Sequence, residues 1–200
     1  MKHSTTRELF DYWNSRRGRR PAPERGDIEP EAIRRVLADT FIFGLDDGKG
    51  HPFRIAGTRV CALFGRELKG EPFLGLWAAE SRGLVGALIR VVAQETVGMV
   101  VGVSGVTKAG DALDLELLVL PLVHCAGNDA RVLGSLSPMQ LPRWAGAGAL
   151  GELALETLRY VGPAVKPDTA PSRLSPLVDG RIRHGLVVYD GGGSPRSHSG

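Results

Sequence analysis

From residue 40 onward the apolar positions fall into short alternating runs broken by glycine-rich turns, then a helical stripe, then alternating runs again. TFIFGLD (40–46) and PFRIAG (52–57) read as strands joined across the turn Asp46-Asp47-Gly48-Lys49-Gly50, because Asp/Gly clusters between β-prone runs supply turn geometry. VCALFGRELKG (60–70) holds two helical turns punctuated by Gly65 and Gly70. Residues 79–95 place Leu84, Leu88, Ile89 and Val92 at helical spacing. VGMVVGVSGVT (97–107), LDLELLVLPLVH (113–124) and ARVLGSLS (130–137) read as three more strands, with turns at 108–112 and 125–129. Connections this short make neighbouring strands antiparallel. Asp114 and Glu116 alternate with Leu113, Leu115 and Leu117, which predicts one wet and one buried face for that strand.

The flanks carry weaker patterns. A helix is predicted near 6–17, with Thr5 and Glu8 at capping-box spacing, Gly18 as its stop, and Leu9, Phe10, Tyr12 and Trp13 forming an aromatic face. So short a helix is not stable alone, so that face packs on its own domain or on a partner; as an interaction face it carries the residue types found at hot spots. RRGRRPAPERG reads as a loop, and a second short helix follows with Pro30 in its first turn and Ile33, Val36 and Leu37 on its apolar side. LGELALETLRYV (150–161) fits a strand or a helix, since its alternation soon breaks step. Pro163, Pro167, Pro171 and Pro176 with few apolar neighbours read as flexible tail, interrupted by the β-prone island Leu186-Val187-Val188-Tyr189. The expected organisation is a flank of helices and basic loop over 1–39, a domain with a C-terminal extension over 40–160, and a flexible tail over 161–200.

Composition narrows the class. With 200 residues, 42% apolar and 24% charged, the chain matches one globular domain with extensions. No run approaches the roughly 18 apolar residues of a membrane span, and MKHSTTRELF lacks the apolar stretch of a signal peptide. Cys61 and Cys125 form no CxxC and no zinc spacing, so a reduced, cytoplasmic protein is the economical expectation. The net charge of +3 is carried by the flanks: Lys2, Arg7, Arg16, Arg17, Arg19, Arg20 and Arg25 at one end, Lys166, Arg173, Arg181, Arg183 and Arg196 at the other. The middle is net acidic, which argues against a basic nucleic-acid-binding domain and leaves only an arm, Arg16–Arg20, without an aromatic stacking platform.

The order strand, strand, short helices, longer helix, three strands resembles a PAS domain. HPFRIAGTRVCALFGRELKGEPFLGLW (51–77) resembles the family's segment after the second strand, with Leu63, Gly65, Leu68, Gly70 and Phe73 at the matching positions. RELFDYW, FRIAGTRVCALFGREL, LLVLPL and VLGSLSP are similar to a bacterial subfamily of stand-alone PAS proteins, over roughly 6–160. The resemblance implies an α+β fold, a five-stranded antiparallel sheet with short helices on one face and an N-terminal flanking helix. It also implies a sensory or regulatory role through partner contacts, as a homodimer or with a signalling protein, with or without a small apolar ligand. The chain is not expected to be an enzyme.

No catalytic constellation stands out. A flavin-photochemical PAS needs a reactive cysteine after Gly70, where this chain has Glu71, Pro72 and Phe73. Haem ligation would place a histidine on the longer helix, and 79–95 has none. His124 and Cys125, adjacent on a strand, point to opposite faces and do not readily share a metal. Ser104 and Ser135 have no nucleophile elbow, and Gly98, Gly102 and Gly105 are spread along a strand with no phosphate-binding lysine. No cofactor and no metal is expected. The family's cavity would be lined here by Phe53, Ile55, Cys61, Phe64, Phe73 and Trp77 from the first half. Val101, Val103, Leu117 and Val119 come from the later strands, and Thr58 and Arg59 are the nearest polar groups. A core filled by its own side chains is the slightly favoured reading of that set; an apolar ligand, and a carrier or enzyme using the cavity, are the alternatives.

Overall fold

The computed structural model describes residues 1–107, 109–123, 130–140 and 149–162 in full, and the backbone of 180–183 and 186–190. The pair His124–Cys125, the 125–129 turn and most of the expected tail lie outside the described residues. Helix α1 spans Ser4–Arg17; β1 (Thr40–Gly44) and β2 (Phe53–Ala56) lead to α2 (Thr58–Phe64) and the longer α3 (Ala79–Glu95). Then come β3 (Gly98–Thr107), β4 (Ala112–Leu122), β5 (Arg131–Pro138) and β6 (Leu150–Val161), with β7 (Gly180–Arg183) and β8 (Leu186–Asp190) last. The strands form one antiparallel sheet in the order β2-β1-β5-β4-β3-β6-β8-β7.

The five expected strands lie side by side, and the sheet continues past them. The ambiguous 150–161 segment is a strand, paired with β3 along its length. Its broken alternation is a bulge: Thr157 faces Gly102 and Leu155 faces Val103, which leaves Glu156 as the extra residue. The apolar island at 186–189 pairs with β6 through Leu158 and Tyr189 and with β7 behind it. The second short helix is instead two 3-10 turns, Pro30–Ile33 and Leu37–Asp39. Strand β1 begins at once after Asp39, and Thr40 Oγ1 donates to Val36 O at 2.8 Å, so the chain has no room for a further α-turn. Ile33 and Val36 are buried as expected, while Leu37 is exposed. The cap of α1 lies earlier than expected, with His3 Nδ1 accepting from Thr5 N at 3.2 Å.

The sheet separates two apolar layers. The inner one contains Phe41, Phe43, Phe53, Leu117, Val119 and Val101 against α2 and α3. The outer one contains Leu9, Trp13, Ile28, Ile33 and Val36 from the N-terminal segment against Ile42, Val100, Leu118, Leu120 and Leu133. The expectation of a wet face on β4 is therefore corrected at Glu116, which is buried while Asp114 is exposed. Glu116, Leu118, Leu120 and Leu122 share one parity, and α1 covers that face.

Candidate functional site

The inner layer is centred on aromatic rings. Phe43 stacks on Phe73 at 4.7 Å between centroids, and Phe41 lies 5.6 to 5.9 Å from Phe43, Phe53 and Phe73. Trp77 meets Phe73 edge-on at 5.9 Å. Such offset and edge contacts are the favoured aromatic geometries. Of the expected lining set, Phe53, Phe64, Phe73, Trp77, Val101, Val103, Leu117 and Val119 come together in this layer, with Cys61 partly buried at its margin. Three residues do not. Ile55 is 47% exposed, because it is the register partner of Ile42, whose side chain belongs to the outer layer. Thr58, the first residue of α2, faces solvent. Arg59 is exposed and turns away to grip the buried Asp39, with Nε 2.8 Å from Oδ1 and Nη2 2.5 Å from Oδ2.

The indole Nε1–H of Trp77, in the inner layer, is buried and has no acceptor among the described residues. A buried donor without a partner is costly. The Cys61 thiol donates to Glu67 Oε1 at 3.5 Å, and burial pushes its pKa up, which makes it a poor thiolate.

His51 is the residue that sequence reasoning missed. It is buried at the β1–β2 turn in a left-handed conformation, φ +61°. Its Nδ1 accepts from Asp46 N at 3.2 Å, its Nε2 lies 3.4 Å from Asp47 Oδ1, and Arg90 of α3 approaches the same carboxylate at 3.6 Å. Burial lowers its pKa, partly offset by the carboxylate of Asp47. Its carbonyl also accepts from Phe73 N at 3.1 Å. His51 thus ties the hairpin to the segment carrying Phe73 and, through Asp47, to α3. Nothing in its sequence surroundings, Gly50 and Pro52, marks it as buried.

On the outer face, α1 is docked at both ends. Leu9 and Trp13 are fully buried against the sheet of their own chain, and Trp13 Nε1 donates to Pro121 O at 2.9 Å. Phe10 and Tyr12 are half-buried, and the Tyr12 hydroxyl donates to Asp27 O and accepts from Glu29 N. Leu9 and Trp13 are therefore closed to a partner while α1 stays docked. At the other end Glu116 accepts from Lys2 N at 2.7 Å and His3 N at 2.9 Å. Burial pushes its carboxyl up, but these backbone donors and the nearby amino terminus bring it below its ordinary value. The basic arm is largely engaged at home: Arg16 with Glu29 at 3.1 Å, Arg20 with Asp27 at 2.7 Å, and Arg17 with Asn14 and the Trp13 ring. Among the described residues no group of acids, histidines and cysteines is placed to hold a metal, and no helix is long and apolar enough to cross a membrane.

Two strands, short helices, one longer helix and a three-stranded meander, wrapped around an apolar interior, define the PAS class of sensor-type α+β domains. The family described as PAS domain matches residues 1–137, and the chain belongs to it. Among solved structures it is similar to a light-oxygen-voltage domain studied with a flavin analogue, at 18% identity and TM-score 0.43, covering 58% of this chain and 87% of that one. It is likewise similar to the light state of the blue-light photoreceptor Aureochrome1 LOV, at 19% identity and TM-score 0.41, covering 55% and 88%. No curated protein matches the chain.

Proposed function

We propose that this chain is a cytoplasmic sensory or regulatory PAS protein that passes its signal by contact with another protein, either a second copy of itself or a signalling partner. The observation that carries this reading is the inner layer, where Phe41, Phe43, Phe53, Phe73 and Trp77 occupy the interior by packing on one another. An interior filled this way leaves the surface as the route for information. Size-exclusion chromatography with light scattering tests it. A dimer at micromolar concentration is the expected result. A monomer at high micromolar concentration, with no complex in a pull-down from the native host, would refute it.

A second reading rests on Trp77. The carbonyl or hydroxyl of a small, mainly apolar molecule would satisfy its indole N–H, and the chain would then serve as a ligand-gated sensor, a carrier or an enzyme. Native mass spectrometry separates the two: a stoichiometric small molecule supports this reading, and a protein mass with no added ligand, as the dimer, supports the first.

A further inference from the structure

The buried stripe of α1 changes character along its length. Thr5 and Thr6 lie at the amino end, Leu9 and Trp13 further on. The sheet beneath changes in step. Under the later turns lie Val100, Leu118, Leu120 and Leu133. Toward the amino end the same face carries Glu116 and its cross-strand partner Ser137, with Ser135 next along β5. Ser135 and Ser137 are fully buried, and their hydroxyls have no partner among the described residues. One end of the helix is thus held by apolar packing and the Trp13–Pro121 hydrogen bond. The other rests on a polar seam, where a carboxylate more than a hundred residues away in sequence holds the N–H groups of Lys2 and His3. The His3 N–H is that of the N-cap and Lys2 stands one residue before it, so Glu116 places its negative charge at the positive end of the helix.

We propose that α1 is a strap that opens from its amino end, with Glu116 as the latch and Trp13 as the hinge. The first turns leave the sheet while the Trp13 turn stays seated, and opening uncovers Glu116, Ser135 and Ser137. Water can solvate every group the polar seam loses, whereas undocking Leu9 and Trp13 exposes apolar surface. The two ends therefore differ in what release costs. The charged and titratable groups around the latch are the amino terminus, Lys2, His3 and Arg7 from the N-terminal segment, Asp114 on β4 and Arg159 on β6. Neutralising Glu116 leaves that largely cationic set without its central anion. The strap goes beyond the partner-contact reading and does not depend on whether the chain dimerises.

Amide exchange of the full chain, followed residue by residue by NMR at one neutral pH, tests this. In the wild type, amides of Arg7 to Phe10 should exchange faster than those of Tyr12 to Asn14, with α3 slowest. Glu116→Gln keeps the shape and removes the charge. Since hydrogen bonds to a charged group are the stronger kind, it should speed the Arg7 to Phe10 amides about tenfold or more. The Tyr12 to Asn14 amides and α3 should be unchanged. Trp13→Phe should speed both halves of α1 together. Equal acceleration along the whole of α1 in Glu116→Gln, no acceleration, or an equal change in α3 would each overturn the proposal. So would a wild-type gradient of the opposite sense, which needs no variant.

Discussion

Replacing Gly134 with alanine asks whether the interior has room to give. Gly134 faces Phe41 across β5 and β1 and Val119 across β5 and β4. A Cβ built there would stand 2.5 Å from Leu118 O and 2.6 Å from Phe41 Cε2, with Phe41 Cζ closer still. The carbonyl is part of the sheet and cannot withdraw without parting two strands. The ring can withdraw only into space not already taken by Phe43, Phe53 and Phe73, all within 6 Å of it between centroids. Overpacking of this kind costs about 1–3 kcal/mol, occasionally more. The stiffer unfolded chain of alanine returns about 0.4–1 kcal/mol. Two rigid obstacles place the net loss near the upper end, about 2–3 kcal/mol. With a urea dependence of about 2 kcal/mol per molar, the unfolding midpoint should fall by roughly 1–1.5 M. Urea titration by circular dichroism reads this. Phe41→Leu in the same background should recover part of the loss, giving a favourable coupling of about 1 kcal/mol in the double-mutant cycle. A midpoint shift under about 0.5 M, or strict additivity with Phe41→Leu, would mean that the ring swings into unfilled space. That result would refute the self-packed interior and favour the ligand-holding reading.

Other expectations concern charge and chemistry. Arg59→Met should cost about 1–3 kcal/mol in urea unfolding, because it strands the buried Asp39 carboxylate; the value sits below that of a fully buried pair because the guanidinium is half-exposed. Stability should fall on acidification in two steps. Below about 6.5 the unfolded chain takes up a proton that the buried His51 resists, and below about 4.5 it takes up one that the clasped Glu116 resists. His51→Asn, which tolerates a positive φ, should remove the upper step from a plot of midpoint against pH and leave the lower one. In a Cys125→Ser background, Cys61 should react with a thiol reagent at pH 7.5 more slowly than free cysteine, and an equal or faster rate would contradict its raised pKa.

Much of the sheet was legible because strands need only a local signal: alternation, a turn and a change of period place β1 to β5 within a residue or two of their observed bounds. Parity places the inner residues of the later strands, Val101, Val103, Leu117 and Val119, while the lining residues outside strands, Phe64, Phe73 and Trp77, came from the family resemblance. What could not be read locally was what covers the other face. Asp114 and Glu116 look like a solvated edge, yet Leu118, Leu120 and Leu122 continue the same parity. A strand apolar on both faces is covered on both. That signal was available and points to α1. Ile55 shares the parity of Phe53, and it was misplaced because a bulge in the β1–β2 ladder pairs it with Ile42 and turns it outward; Thr58 and Arg59 were misplaced because nearness in sequence to the lining residues does not say which side of α2 they occupy. His51 is harder, since its burial follows from contacts with Asp46, Asp47 and Phe73 that no periodicity encodes.

The strand order also sets a timetable. β1 has only the short β2 beside it until β5 exists, since its other ladder pairs Thr40 with Ser135 through Gly44 with Arg131. On a ribosome, β1 therefore waits for β5 before its second edge is paired. The β5 side of β1 and the Leu133 side of the outer layer under α1 stay without their final neighbours until synthesis has passed Pro138. Closing a loop of that length before its contacts form slows folding. A nascent chain stalled ahead of that point presents an unpaired strand edge and a half-covered aromatic helix, the kind of surface that aggregates and that chaperones shield.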